Sequence, residues 1–299
     1  MNLRWNVTTP RTRGVLWACW VVFALLLLDV VGGAAYAAAV VASAALVAAV
    51  PGALAVVRRH RDNRELAVIT CLYVGVVTLF SLAFRFFTAD NALGLFLCFA
   101  AGLLLGVVGP IYYTVWDRGD SLRTLGIRAD NWRATAVLAL VFGGVQFALT
   151  LWGMDLPVYE DWVPLLVMAM VVGVFESIFF RGFIQTRLEQ QFGHMTGILG
   201  AAALYGLYHV GYGMQGSELI FLGGLGVVYA IAFAVPRNVF VLWPLLTPLG
   251  SFYNSVTEGE IDLPWASILG FADVLILMLA AGWLAQRHVT RRGKLAIAA

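Results

Sequence analysis

The sequence predicts an all-α membrane protein, a polytopic transmembrane bundle of about ten spans. Three observations carry that reading. The 299 residues are 61% hydrophobic and only 12% charged. Many apolar stretches are long enough to cross a hydrocarbon layer of ~30 Å, which takes ~20 helical residues. The basic residues, finally, fall in alternate connections between those stretches. A soluble fold of this length has no way to hide so much apolar surface. The net charge of +2 says nothing about partners, because its distribution matters more than its sum. No nucleic-acid partner is expected.

In order, the expected spans cover residues 15–31, 34–57, 66–87, 91–116, 134–152, 162–181, 195–213, 217–235, 238–256 and 265–285. Pro51 and Pro110 predict kinks in the second and fourth. The first span follows Arg4, Arg11 and Arg13 and precedes Ala35-Tyr36-Ala37, which gives it the outline of a signal peptide. We read it as an uncleaved signal anchor. With the N-terminus in the cytoplasm, alternation places 18 of the 19 Lys and Arg on the cytoplasmic side. They cluster as Arg58, Arg59, Arg61 and Arg64, as Arg118, Arg123, Arg128 and Arg133, and as Arg287, Arg291, Arg292 and Lys294. Arg181, Arg187 and Arg237 fall in the remaining cytoplasmic segments. Arg85 is the exception, near the end of the third span. The opposite loops carry acids such as Asp155, Glu160, Glu218 and Asp262. Short-loop Lys and Arg set orientation, so both termini are expected in the cytoplasm. Arg outnumbers Lys 18 to 1, which with the Ala- and Val-rich apolar set predicts a bacterial source and hence the inner membrane. Cys19, Cys71 and Cys98 have neither metal-ligand nor disulfide spacing and read as small buried hydrophobes.

The longest connection, Asp117 to Arg133, divides the chain. Residues 1–116 read as an accessory four-helix region, 117–133 as a cytoplasmic linker, 134–285 as a six-helix functional core and 286–299 as a basic tail.

Three polar residues stand out in that core. Glu176 lies in the apolar run from Val163 to Phe180, five residues before Arg181. His209 closes the run Tyr205-Gly206-Leu207-Tyr208-His209, and Asn254 lies in the ninth expected span. An ionisable group at membrane depth is costly and marks a functional site by default. Gly193 is a natural stop for the sixth helix. Glu176 is then 16 to 17 residues before the turn and His209 is 16 to 17 after it, so the two are expected at similar depth. A helix starting near Asn238 carries Asn254 to the same level. Such a cluster suits hydrolysis. A carboxylate in low dielectric becomes a stronger base and can activate water. The imidazole can orient that water or protonate the leaving group. The Asn254 amide can donate to a developing oxyanion. Arg181 can pair with the carboxylate or with substrate.

These residues resemble the CAAX prenyl protease and bacteriocin-processing family of intramembrane proteases, also called the Abi family. Its motifs are Glu-Glu-x-x-x-Arg, Phe-x-x-x-His and His-x-x-x-Asn. Here they read Glu176-Ser177-Ile178-Phe179-Phe180-Arg181, then Tyr205-Gly206-Leu207-Tyr208-His209, then Gly250-Ser251-Phe252-Tyr253-Asn254. Gly182-Phe183 and the lead-in Leu125-Gly126-Ile127-Arg128 are also family-like, so the resemblance covers residues 122–285. It implies an intramembrane endopeptidase with Glu176, His209 and Asn254 as catalytic residues. Two positions depart from the pattern. Ser177 stands where the family has a second glutamate, and Gly250 stands where it has a histidine thought to help hold the oxyanion. Tyr205, Tyr208 or Tyr253 is a replacement donor, since a phenol can serve. Ser177, Arg181, Tyr205, Tyr253 and Gly250 are therefore supporting positions.

The expected substrate is a membrane-embedded or lipid-linked peptide, met within the lipid bilayer. A metal-free mechanism is expected. Only His209 of the four histidines lies in the core, whereas a catalytic zinc takes three protein ligands; zinc is the alternative. Two rival functions remain. One is an inactive relative acting as a membrane peptide scaffold or immunity factor. The other is a small-solute transporter, although repeated halves, the usual transporter signature, are not evident.

Overall fold

The computed structural model describes residues 64–87, 92–130, 132–150, 162–242 and 265–298. The first two expected spans, and with them Cys19, lie outside these residues, as do Gly250, Tyr253 and Asn254. Within them the chain is helical, with no strand. The helices are α1 (Arg64–Phe87), α2 (Ala92–Asp117), α3 (Trp132–Thr150), α4 (Trp162–Phe192), α5 (His194–Tyr208), α6 (Ser217–Ala234) and α7 (Trp265–Ala298). Among the described residues, α1, α2, α4 and the Ile268–Gly293 stretch of α7 are long and apolar enough to cross a membrane. They correspond to the third, fourth, sixth and tenth expected spans. The protein is an integral membrane protein.

Several helices differ from their sequence outline. α4 runs to Phe192, eleven residues beyond the end of the expected span at Arg181 and up to the stop expected at Gly193. Arg181 and Arg187 are therefore buried helix residues and not solvated loop charges. The chain turns at Gly193 as expected, with φ of +91°. The seventh expected span is α-helical only to Tyr208; a 3-10 turn, His209–Tyr212, follows. The ninth does not begin as an α-helix at Asn238, which caps a 3-10 turn, Val239–Val241. α7 continues past 285 through the basic tail. Its 34 residues extend about 50 Å, more than a bilayer core needs. Cys71 and Cys98 are half-buried, so they are less enclosed than expected.

The described residues fall into two compact units, one of those within 1–101 and 206–221 and one of those within 102–205 and 222–299. In the first, Phe80 and Phe84 of α1 each bring a ring centroid to 4.8 Å from that of Tyr212.

The second unit is built on the aromatic side of α4. Phe175, Phe179, Phe180 and Phe183 are all buried, and their rings touch in sequence. Arg187, one turn further on, lies with its guanidinium 5.0 Å from the ring centres of both Tyr113 and Phe183 and donates to Thr114 Oγ1 at 2.7 Å. A buried cation needs such partners, since an unsatisfied one is very costly. On the other side, α7 exposes Leu269, Ile276, Leu279 and Leu284, a face suited to lipid.

The segment 118–130, expected as a linker, is packed into this unit. Leu122 and Leu125 of its 3-10 turn are buried. Asn238 holds the segment from a distance. Its side-chain amide donates to Arg128 O at 3.0 Å and to Thr135 Oγ1 at 3.3 Å, while Oδ1 accepts from Phe240 N at 3.0 Å. Val239 N also donates to Gly126 O at 3.0 Å.

Candidate active site

Glu176 ends the α-helical part of α4, and the helix continues as a π-helix from Ser177 to Gln185. A π turn bonds residue i to i+5 and is often found at functional sites. The wider turn brings position 181 round toward the side of Glu176, which the 3.6-residue period of an α-helix would not do. Glu176 and Arg181 are 5% and 1% exposed.

Tyr205 of α5 joins them. Its hydroxyl donates to Glu176 Oε2 at 3.3 Å, and its ring lies 5.0 Å beneath the Arg181 guanidinium. Two further rings meet Tyr205 edge-on: Phe180 at 5.3 Å and Tyr229 of α6 at 5.9 Å. α6 can approach this closely because of Gly226. A methyl group there would lie 2.8 Å from Ala202 O and 3.1 Å from Tyr205 Cδ1. Gly226 is thus a helix-packing residue, whereas Gly223 and Gly224 face open space. Tyr205 was expected as a replacement oxyanion donor. Here its hydroxyl lies within hydrogen-bond distance of the Glu176 carboxylate.

The result is a buried carboxylate with one oxygen held by a phenol and a guanidinium stacked on that phenol. Such a carboxylate can take a proton from water. The nearby cation compensates a charge that low dielectric would otherwise make prohibitive.

Ser177 is buried, and its Oγ has no hydrogen-bond partner among the described residues. It faces a different environment from Glu176, a cavity of about 580 Å³ that also meets Arg128 and Trp283. His209 is 7% exposed and opens the 3-10 turn after α5, its ring 4.1 Å from that of Tyr208 and 5.6 Å from that of Tyr212. It belongs to the first compact unit, while Glu176, Arg181 and Tyr205 belong to the second. The third motif, with Gly250, Tyr253 and Asn254, lies outside the described residues.

Sequence reasoning missed Gln185. It is fully buried one turn beyond Arg181 and donates to Ala230 O and to Glu189 Oε1, each at 2.9 Å. Glu189 in turn pairs with Arg237 and with His194, so polar groups tie α4 to α6 and to the 193 turn. A polar residue four positions after Arg181 was the available signal.

Among the described residues no three His, Cys, Asp or Glu side chains come together.

A buried, phenol-held carboxylate in a helical membrane protein is therefore the candidate site. Comparison with protein families gives the next step. Residues 157–247 match the family described as type II CAAX prenyl endopeptidase Rce1-like. Over this segment the chain is similar to a family of endopeptidases, in agreement with the motif-based resemblance. The match includes Glu176, Arg181, Tyr205 and His209 and ends before Gly250. No curated protein and no solved structure matches the chain.

Proposed function

We propose that this protein is an intramembrane endopeptidase that cleaves a membrane-embedded or lipid-linked peptide with water activated by Glu176. The observation that supports it best is the buried Glu176 carboxylate, held by Tyr205 and accompanied by Arg181, within the family-matched segment. Glu176 takes a proton from water as the oxygen attacks the scissile carbonyl. The tetrahedral oxyanion gains a hydrogen bond from the Asn254 amide. His209 supports the proton transfer to the leaving amine, the C–N bond breaks, and the carboxylate is regenerated. Motif spacing supports the roles of His209 and Asn254. No step uses a metal. The basic-residue pattern supports cytoplasmic termini, and the Arg-rich composition supports a bacterial inner membrane.

A second reading has its own observation. Ser177 and Gly250 replace two acid or donor residues of the family motifs, which favours an inactive relative that binds membrane peptides as a scaffold. Purified full-length protein in liposomes, offered a panel of single-span peptides, separates the two. The endopeptidase reading expects products carrying one solvent oxygen in H2(18)O. Peptide binding without any product supports the scaffold. Gly250→His, which rebuilds the third motif, is expected to raise the rate if a missing donor limits it.

A further inference from the structure

The cavity beside Ser177 is distinct from the Glu176–Tyr205 cluster. Its α4 wall is Val174, Ser177 and Ile178. Val174 and Ile178 are each two residues from Glu176, which puts them across the helix from it. The other walls come from α2, the 118–130 segment, Val239–Phe240 and α7. At about 580 Å³ the space falls in the range of small-ligand sites.

Its lining has two chemistries. One part is aliphatic: Ile111, Val174, Ile178, Val239, Met278 and Leu279. The other carries Arg123, Arg128 and Gln286, and no acidic residue lines the cavity. Asp130, off the lining, pairs with Arg128 at 2.6 Å and with Arg123 at 3.5 Å. Ser177 adds a buried hydroxyl that has no hydrogen-bond partner among the described residues. Trp283 also lines the cavity, is 56% exposed, and has the Arg287 guanidinium 4.5 Å from its ring centre. An exposed Trp beside an Arg, where the apolar stretch of α7 gives way to its basic continuation, suits the headgroup level of a bilayer.

The geometry points to a binding site for an anionic amphiphile, an acidic phospholipid with an acyl chain against the aliphatic walls and its phosphate at Arg128 and Arg123. Guanidinium groups suit phosphate through charge-assisted hydrogen bonds. The apolar walls are what separate this ligand from free phosphate. The site does not depend on whether Glu176 cleaves peptides.

Native mass spectrometry of the full-length protein in detergent tests this with three probes: phosphatidylglycerol, phosphatidylcholine of the same chains, and glycerol 3-phosphate. Wild type is expected to retain phosphatidylglycerol at least about fivefold over phosphatidylcholine and to retain no glycerol 3-phosphate, the ratio that one or two charge-assisted contacts give. Arg128→Gln should remove the preference. Gly282→Leu is the sharper variant. Gly282 lines the cavity, and a Cβ there meets nothing within 4 Å, so a larger side chain starts from open space. It should lower retention of both lipids about tenfold at an unchanged melting temperature. Equal retention of the two lipids, unchanged retention in Gly282→Leu, or binding of glycerol 3-phosphate as strong as that of lipid overturns the proposal.

Discussion

Gly226→Ala tests how helix packing supports the candidate active site. The added methyl lies 2.8 Å from Ala202 O and 3.1 Å from Tyr205 Cδ1. Carbon contacts are comfortable at about 3.5–4.0 Å, so the ring or the backbone must retreat by about half an ångström. One neighbour is backbone and cannot rotate away. Overpacking of this kind costs about 1–3 kcal/mol. Replacing glycine by alanine in a helix returns about 1 kcal/mol. The net expectation is a loss of up to about 2 kcal/mol. The functional effect should be larger than the loss of stability implies. The Tyr205–Glu176 hydrogen bond is already long at 3.3 Å, and a ring pushed by half an ångström no longer holds the carboxylate. Cleavage should fall about tenfold, the scale of one lost hydrogen bond to a charged group. Gly224→Ala is the control, because its methyl meets nothing within 4 Å on the same helix. Thermal unfolding in detergent and peptide cleavage are measured for both. A Gly226→Ala protein as stable and as active as Gly224→Ala would refute the reasoning.

Three other outcomes follow from the same structure. Tyr205→Phe removes only the hydroxyl, so cleavage should drop about five- to tenfold with the ring packing kept; unchanged turnover would show that the phenol does not orient Glu176. Gly182→Ala should destabilise the protein by about 1–2 kcal/mol, because its methyl would collide with the Leu125 carbonyl of the 3-10 turn; chemical denaturation reads this, and a stabilised variant would show that the turn does not pack there. Asp130 has its carboxyl held below the ordinary 3.8, first by a backbone hydrogen bond and then by Arg123 and Arg128. A lowered folded value means its contribution is present above the unfolded value of about 3.9 and is lost as pH falls through the folded one. Hydrogen exchange in 118–130 should therefore be flat from pH 7 to 5 after correction for intrinsic rates, and protection should fall only below about pH 4; loss of protection between pH 7 and 5 would contradict this.

The candidate site was legible where it depended on rarity. An acid and an arginine inside an apolar run are unusual at membrane depth, so Glu176 and Arg181 announced themselves. The turn at Gly193 was legible for a local reason, since a glycine followed a polar helix end. What the sequence concealed was non-local. Nothing near 118–130 signals that Asn238, 110 residues after Arg128, would fold it into the second unit. The π-helical segment was hidden because apolar periodicity is read at 3.6 residues per turn, and that period separates positions 176 and 181. It also hid the burial of Arg187, which made it look like a loop charge. The side of α4 on which Ser177 lies could not be read from the motif, which places it next to Glu176 in sequence only.

The most direct test of the account is cleavage by Glu176→Gln. The amide keeps the size of the side chain and can still accept from Tyr205, but it cannot take a proton from water. Wild type, Glu176→Gln and Glu176→Asp are compared in liposomes with any peptide that wild type cleaves, alongside their melting temperatures. The account predicts no product from Glu176→Gln, a residual rate from Glu176→Asp, and melting within about 2 °C of wild type, since the packing around the site is retained. Product formation by a folded Glu176→Gln at the wild-type rate would contradict it.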